Sequence, residues 1–261
     1  MFPRLVASEH RRPFSRDMIA TGHEAFDTVL GGGLHPGTST LVMGPTGSGK
    51  TTLCWTYAVA AARQGHRVVA YLFDEDGDLL LHREGGLGQA IREHTQLGQL
   101  RLEQINPAEF SPGELTCRIR DAVEKEGARV IIVDSLNGYL KAMPDEQYLA
   151  LQLHELRMYL GQQGIVSLLV LSQTGPVETV TSPIDISYLA DGIVLLRFFE
   201  AGGHIRKAMF VLKKRTGAHE DTIHELHIDP DGIRVGLPLQ QYQGILMGIP
   251  QYRRRTEETV E

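Results

Sequence analysis

The segment Gly44-Pro45-Thr46-Gly47-Ser48-Gly49-Lys50-Thr51 constrains this chain more than any other stretch. It fits the spacing G-x-x-x-x-G-K-[ST], in which glycines let backbone N–H groups curl inward around phosphate oxygens. The context matches the chemistry. Thr40 to Met43 is a short apolar run that reads as a buried strand, and Thr51 to Arg63 is alanine-rich and free of breakers, so it reads as a helix. A helix starting near Lys50 points the positive end of its dipole at the same anion. Lys50 supplies a mobile charge for the β- and γ-phosphates, the Thr51 hydroxyl is placed to ligate Mg²⁺, and Thr52 follows in the same turn. The plain alternative is a glycine-rich turn whose lysine faces solvent; the flanking strand and helix argue against it.

Strands and helices alternate through the first two thirds of the chain. Arg67 to Phe73, Val130 to Val133 and Ile165 to Leu171 are apolar runs, as expected of parallel strands covered on both faces. Glu114 to Glu126 and Tyr148 to Gln162 carry helical spacing, and Gly65 stands where a helix-ending glycine belongs. After Asp191 the pattern changes. Ile193 to Phe198, Lys207 to Leu212 and Ile223 to Ile228 read as strands joined by short polar turns such as Ala201-Gly202-Gly203. The expectation is an α/β P-loop NTPase: a mostly parallel sheet flanked by helices, with an antiparallel C-terminal extension. Residues 1–17 read as an arm or linker, 18–250 as the domain and 251–261 as a polar tail.

Composition narrows the classes. The 261 residues are 42% hydrophobic, enough for one large domain. There is no apolar run of the roughly 18 residues that span a membrane, and Met1-Phe2-Pro3-Arg4 does not open a secretory signal. Cys54 and Cys117 lie far apart in no metal or redox spacing, so a reducing cytoplasm is the simplest setting. A net charge of −6 argues against a protein whose main task is gripping nucleic acid.

An Mg-ATPase needs a carboxylate near the metal and usually another that orients water. Val130-Ile131-Ile132-Val133-Asp134 places an acid at a strand's carboxyl end, where open α/β sheets bind ligands. Asp134 therefore holds Mg²⁺ through water or, on the plainer reading, caps the helix that follows. Phe73-Asp74-Glu75-Asp76 ends another strand. Glu75, with its longer reach, is the first candidate to polarise water and Asp74 the second; the alternative is an acidic surface turn, as Asp76-Gly77-Asp78 reads. Gln173 follows a third strand and is either a γ-phosphate contact or a loop residue. Lys213 and Arg215 share one face of a strand and Lys214 takes the other. His224 and His227, three apart on a strand, make a poor metal pair. Trp55 and Tyr57 read as packing.

At this point the sequence resembles the KaiC-type ATPases of the RecA superfamily. The likeness runs through Thr21-Gly22, Phe26-Asp27, Leu30-Gly31-Gly32-Gly33-Leu34, Gly37, the glycine loop, Phe73-Asp74-Glu75, Val133-Asp134-Ser135-Leu136, Leu212-Lys213-Lys214-Arg215 and His219, and ends near Gly244 to Pro250. The resemblance implies a RecA-like fold, ATP and Mg²⁺ as ligands, and hexameric rings with ATP between neighbouring subunits. It implies that Asp74-Glu75 activates water, that Lys213 and Arg215 of its Lys-x-Arg pattern reach a neighbour's γ-phosphate, and that His219 contacts phosphate or interface. Two departures stand out. The clock protein of this family phosphorylates an adjacent Ser and Thr; here the positions hold Ser187 and Tyr188, so Ser187 alone matches. That protein also has two such domains in tandem, and this chain has one, as a stand-alone relative or an excised half.

Two competing functions stay in view. A DNA-handling recombinase or helicase would need a mobile basic loop, yet Thr174 to Asp185 contains no Lys or Arg. An ATP-gated scaffold with negligible turnover, serving a protein partner, has the same sequence signature as a signalling ATPase.

Overall fold

The computed structural model describes residues 12–73, 77–82, 85–106, 108–109, 111–141, 146–173, 190–246 and 251–252. In chain order the elements are α1 (Glu24–Val29), β1 (Ser39–Gly44), α2 (Lys50–Arg63), β2 (Val68–Leu72), α3 (Gly77–Leu81), α4 (Gly86–Gln96), β3 (Leu100–Gln104), α5 (Pro112–Glu124) and β4 (Val130–Asp134). There follow α6 (Leu136–Lys141), α7 (Glu146–Gln162), β5 (Val166–Ser172), β6 (Gly192–Ala201), β7 (His204–Lys214), β8 (His224–Asp229), β9 (Gly232–Pro238), β10 (Tyr242–Gln243) and β11 (Gln251–Tyr252).

One 9-stranded sheet organises the molecule, in the order β3-β2-β4-β5-β1-β6-β7-β8-β9. From β3 to β6 neighbouring strands run parallel; β7, β8 and β9 add antiparallel to that edge. This is the mixed α/β sheet expected from the sequence. Strands β1, β2 and β4 are buried at every residue because helices cover both faces. One core joins α2 and α4 to the sheet through Trp55, Tyr57, Ile91 and Val130; the other joins α5 and α7 through Ile119, Tyr159 and Ile131. No helix among the described residues is long and apolar enough to cross a membrane.

Local chemistry explains most boundaries. Helix α2 ends at a Gln64 cap, and Gly65 takes the left-handed φ of 84° that the reversal requires. Helix α5 starts earlier than its apolar stripe suggests, because Ser111 Oγ accepts the Glu114 N–H at 3.2 Å and Pro112 fits the first helical position. Gly202 and Gly203, both at positive φ, turn β6 into β7. Gly77 and Asp78, read from sequence as part of a surface turn, instead open the short helix α3.

Asp27 accounts for Thr21 and Gly22: its carboxylate accepts both their backbone N–H groups and the Thr21 hydroxyl, at 2.7–2.9 Å. Just before them, Ile19 bridges Leu34 across the glycine turn, and the Phe14 ring lies against Gly37 and Gly164.

Candidate functional site

The glycine loop sits at the carboxyl end of β1, between β5 and β6. Gly44, Gly47 and Gly49 have φ of 155°, 80° and 105°. The last two lie well within the left-handed region that glycine adopts without strain. Gly49 is needed twice over, because a Cβ there would overlap Ile228 Cδ1 of β8. Pro45 accepts the Ser48 N–H at 3.2 Å and the Lys50 ammonium at 2.9 Å, so the lysine folds back across the loop it serves. Lys50 is only 6% exposed. Thr46 and Gly47 are exposed at the tip, whereas the Ser48 Oγ is buried with no hydrogen-bond partner among the described residues. Thr52 stays half-buried in the first turn, its carbonyl accepting the Thr56 hydroxyl.

Asp134 ends β4 beside this loop. Its carboxylate accepts the Thr51 hydroxyl at 2.7 Å, and both groups come from strand and helix ends that the sheet fixes. A hydroxyl and a carboxylate paired at the carboxyl end of a parallel sheet form an oxygen donor set suited to Mg²⁺ with waters in its remaining positions. The group fits these residues. Cys54, one turn along α2, takes no part: burial, then the nearby Asp134 charge, hold its thiol well above the usual range and keep it neutral.

Gln173 completes the described part of this end. Its N–H donates to Gly44 O at 3.0 Å, and its side-chain amide is buried with neither atom hydrogen-bonded among the described residues. Asn137 of α6 holds the neighbouring Ser172 through paired amide bonds of 2.7 and 3.0 Å. Phe73 is fixed by its N–H to Asp134 O at 2.7 Å and by its ring against Tyr139. Asp74 and Glu75, which follow it, and Ser187 lie outside the described residues.

Lys213, Arg215 and His219 do not join this cluster. In the β7–β6–β1 register, Lys214 pairs with Gly192 and Gly192 with Thr40. That row is four residues before Gly44, about 13 Å along the strand at ~3.3 Å per residue. The basic segment therefore occupies the opposite end of the sheet from its own glycine loop. Alternation works as expected. Lys213 donates to Ala190 O at 2.8 Å and Arg215 lies 3.5 Å from Asp191, while Lys214 turns the other way.

Asp191 was missed by sequence reasoning as an anchor. Its carboxylate accepts the Ser39 N–H and hydroxyl at 3.0 and 3.2 Å and Arg157 of α7 at 3.3 Å, contacts invisible in local spacing. His224 is a packing residue, its Nδ1 2.9 Å from Gly236 O, and His227 is exposed.

The sequence model of the KaiC ATPases matches residues 19–240. The chain belongs to the KaiC family of ATPases. Among curated proteins, it is 27% identical to the circadian clock protein KaiC3 of Synechocystis over 97% of this chain and 50% of that protein. It is 24% identical to the circadian clock oscillator protein KaiC of Picosynechococcus (90% and 46%) and 23% identical to KaiC2 of Synechocystis (94% and 43%). The chain thus spans about half the length of the curated KaiC relatives it matches.

Proposed function

We propose that this chain binds Mg-ATP at Gly44 to Thr52 and hydrolyses it at an interface between copies of itself, arranged as a ring. The observation that carries the reading is the division of the machinery between two ends of one sheet. Lys50, Thr51, Asp134 and Gln173 sit at the carboxyl end; the basic segment, from about 10 Å away along the strands at Lys213 to about 13 Å at Lys214 and on to Arg215 beyond it, sits at the other, too far to serve its own loop. The terminal phosphate held by a neighbouring copy's loop is the anion that Lys213 and Arg215 suit, in the manner of an arginine finger supplied in trans.

The roles follow from chemistry. Backbone N–H groups of the loop and the start of α2 hold the phosphates. Mg²⁺, when bound, would neutralise charge that develops on the phosphates. Thr51 and Asp134, already paired at 2.7 Å, would hold it, Asp134 most simply through water. Lys50 releases Pro45 O and pairs with the terminal phosphates. Among the described residues Gln173 has unspent donor and acceptor capacity beside Gly44, as a γ-phosphate contact needs. Glu75, with Asp74 beside it, polarises the attacking water from the segment after Phe73. His219, near the basic pair in sequence, is the remaining interface contact.

Mixing tests the interface directly. At limiting Mg²⁺, Arg215→Ala and Asp134→Asn proteins should each be slowed by about tenfold or more alone. Together they should regain part of the wild-type rate, because some interfaces then pair an intact Arg215 with an intact Asp134. Mixed assemblies verified by native mass spectrometry that regain no hydrolysis would refute the trans arrangement. Phosphate transfer to Ser187 rests on the family likeness alone. Prolonged incubation with Mg-ATP should add the mass of one phosphate to the wild-type chain and none to Ser187→Ala.

A further inference from the structure

The middle residue of Lys213-Lys214-Arg215 is unspecified in the Lys-x-Arg pattern, and the fold gives it a partner of its own. Its side chain crosses to the glycine turn after α1, where the ammonium donates to Leu30 O and, at 3.3 Å, to Gly33 O. Leu30 and Leu34 around it are buried. Four residues on, the same segment returns to the same turn. The Ala218 carbonyl oxygen sits where a Cβ on Gly31 would lie, and Lys214 Nζ is 3.3 Å from that point. Gly31 itself has φ of 65°. Next to them, Glu220 N–H donates to Val29 O at 3.3 Å.

We propose that Lys214 and the Leu30–Gly33 turn form a seat that positions the basic segment for catalysis at the neighbouring subunit. The proposal rests on the trans reading of Lys213 and Arg215 and deepens it. The seat grips one face of the segment at Lys214 and its far end at Ala218. Lys213 and Arg215, on the other face, touch Ala190 and Asp191, which fix the opposite side. An arginine half exposed at a strand end has many rotamers. Fixing the backbone on both faces leaves the guanidinium aimed but able to exchange Asp191 for a phosphate oxygen. Lys214 is thus a positioning residue acting through Arg215. Its environment agrees: burial draws the Lys214 ammonium below its ordinary pKa, and burial followed by the Lys214 charge lowers His35 beside it.

The test uses two variants that open the seat from opposite sides, Lys214→Met and Gly31→Ala. ADP lacks the γ-phosphate, so its affinity for the loop at the far end should stay within about twofold of wild type. The kcat for ATP should fall by about tenfold or more in both, with KM changing less. Lys214→Met combined with Arg215→Ala should be no slower than Arg215→Ala alone, because both remove one contribution. Wild-type turnover in both seat variants would overturn the proposal and leave the trans reading standing, provided Arg215→Ala is inactive. Normal turnover in Arg215→Ala would instead remove the trans reading. A parallel loss of ADP binding, or an additive double variant, would show Lys214 to be a general stability residue and overturn the seat.

Discussion

Lys50→Ala is expected to abolish tight ATP binding while leaving the protein folded. Lys50 is almost fully buried at the start of α2, with its ammonium on Pro45 O. Alanine is a good residue in a first helical turn, and the loop's curl depends on Gly44, Gly47 and Gly49 rather than on the lysine. The fold therefore loses the hydrogen bond to Pro45 O. The bound state loses a charge-assisted contact to phosphate, worth about 1.5–3 kcal/mol or more, which is roughly 10- to 150-fold in affinity. Isothermal titration alongside a thermal melt separates the two effects. A folded Lys50→Ala protein that binds ATP like wild type would refute the phosphate assignment.

Asp134→Asn decides between the two readings of that carboxylate. Asparagine caps helices about as well as aspartate, so a purely capping role predicts little change in stability or activity. As a metal residue, Asp134 loses its charge while its contact with Thr51 can persist. The expected result is a fall of about 10- to 100-fold in turnover or Mg²⁺ affinity, the range seen when groups that support a metal's ligands are removed. Hydrolysis rate against Mg²⁺ concentration shows it as a rightward shift, a lower plateau or both. A curve superimposable on wild type would remove the metal role.

Much of this arrangement was legible in the sequence because it is specified locally. The glycine loop carries its dihedral requirements in its spelling. Val130 to Asp134 carries its burial on both faces in an unbroken apolar run, and the strands after Asp191 are marked off by short polar turns with no helical pattern between them. Part of what escaped is also local, and the rest is set by contacts across long stretches of chain. Helix α4 and strand β3 went unread although Leu87, Ile91 and His94 recur at helical spacing, and α5 began before its stripe because Ser111 and Pro112 define the start. Gly49 answers to Ile228, Asp191 to Ser39 and Arg157, and Lys214 to the carbonyls of Leu30 and Gly33. No window of neighbouring residues contains those pairs. The family resemblance makes Lys213 and Arg215 candidates, where spacing alone favours a surface cluster, but only the register shows which end of the sheet they occupy.

The opposite placement of the phosphate loop and the basic segment imposes a counting rule on assembly. Two copies related by a two-fold axis bury the same patch from each side, so such a pair brings like ends together. Under the proposed trans arrangement, copies must instead follow one another head to tail. An open row then always has one donor end and one acceptor end unspent, and every row has one fewer complete centre than it has members. Only closure removes that deficit. Specific activity per chain should therefore rise with assembly size and jump at the last addition, making the finished ring the economical unit of turnover.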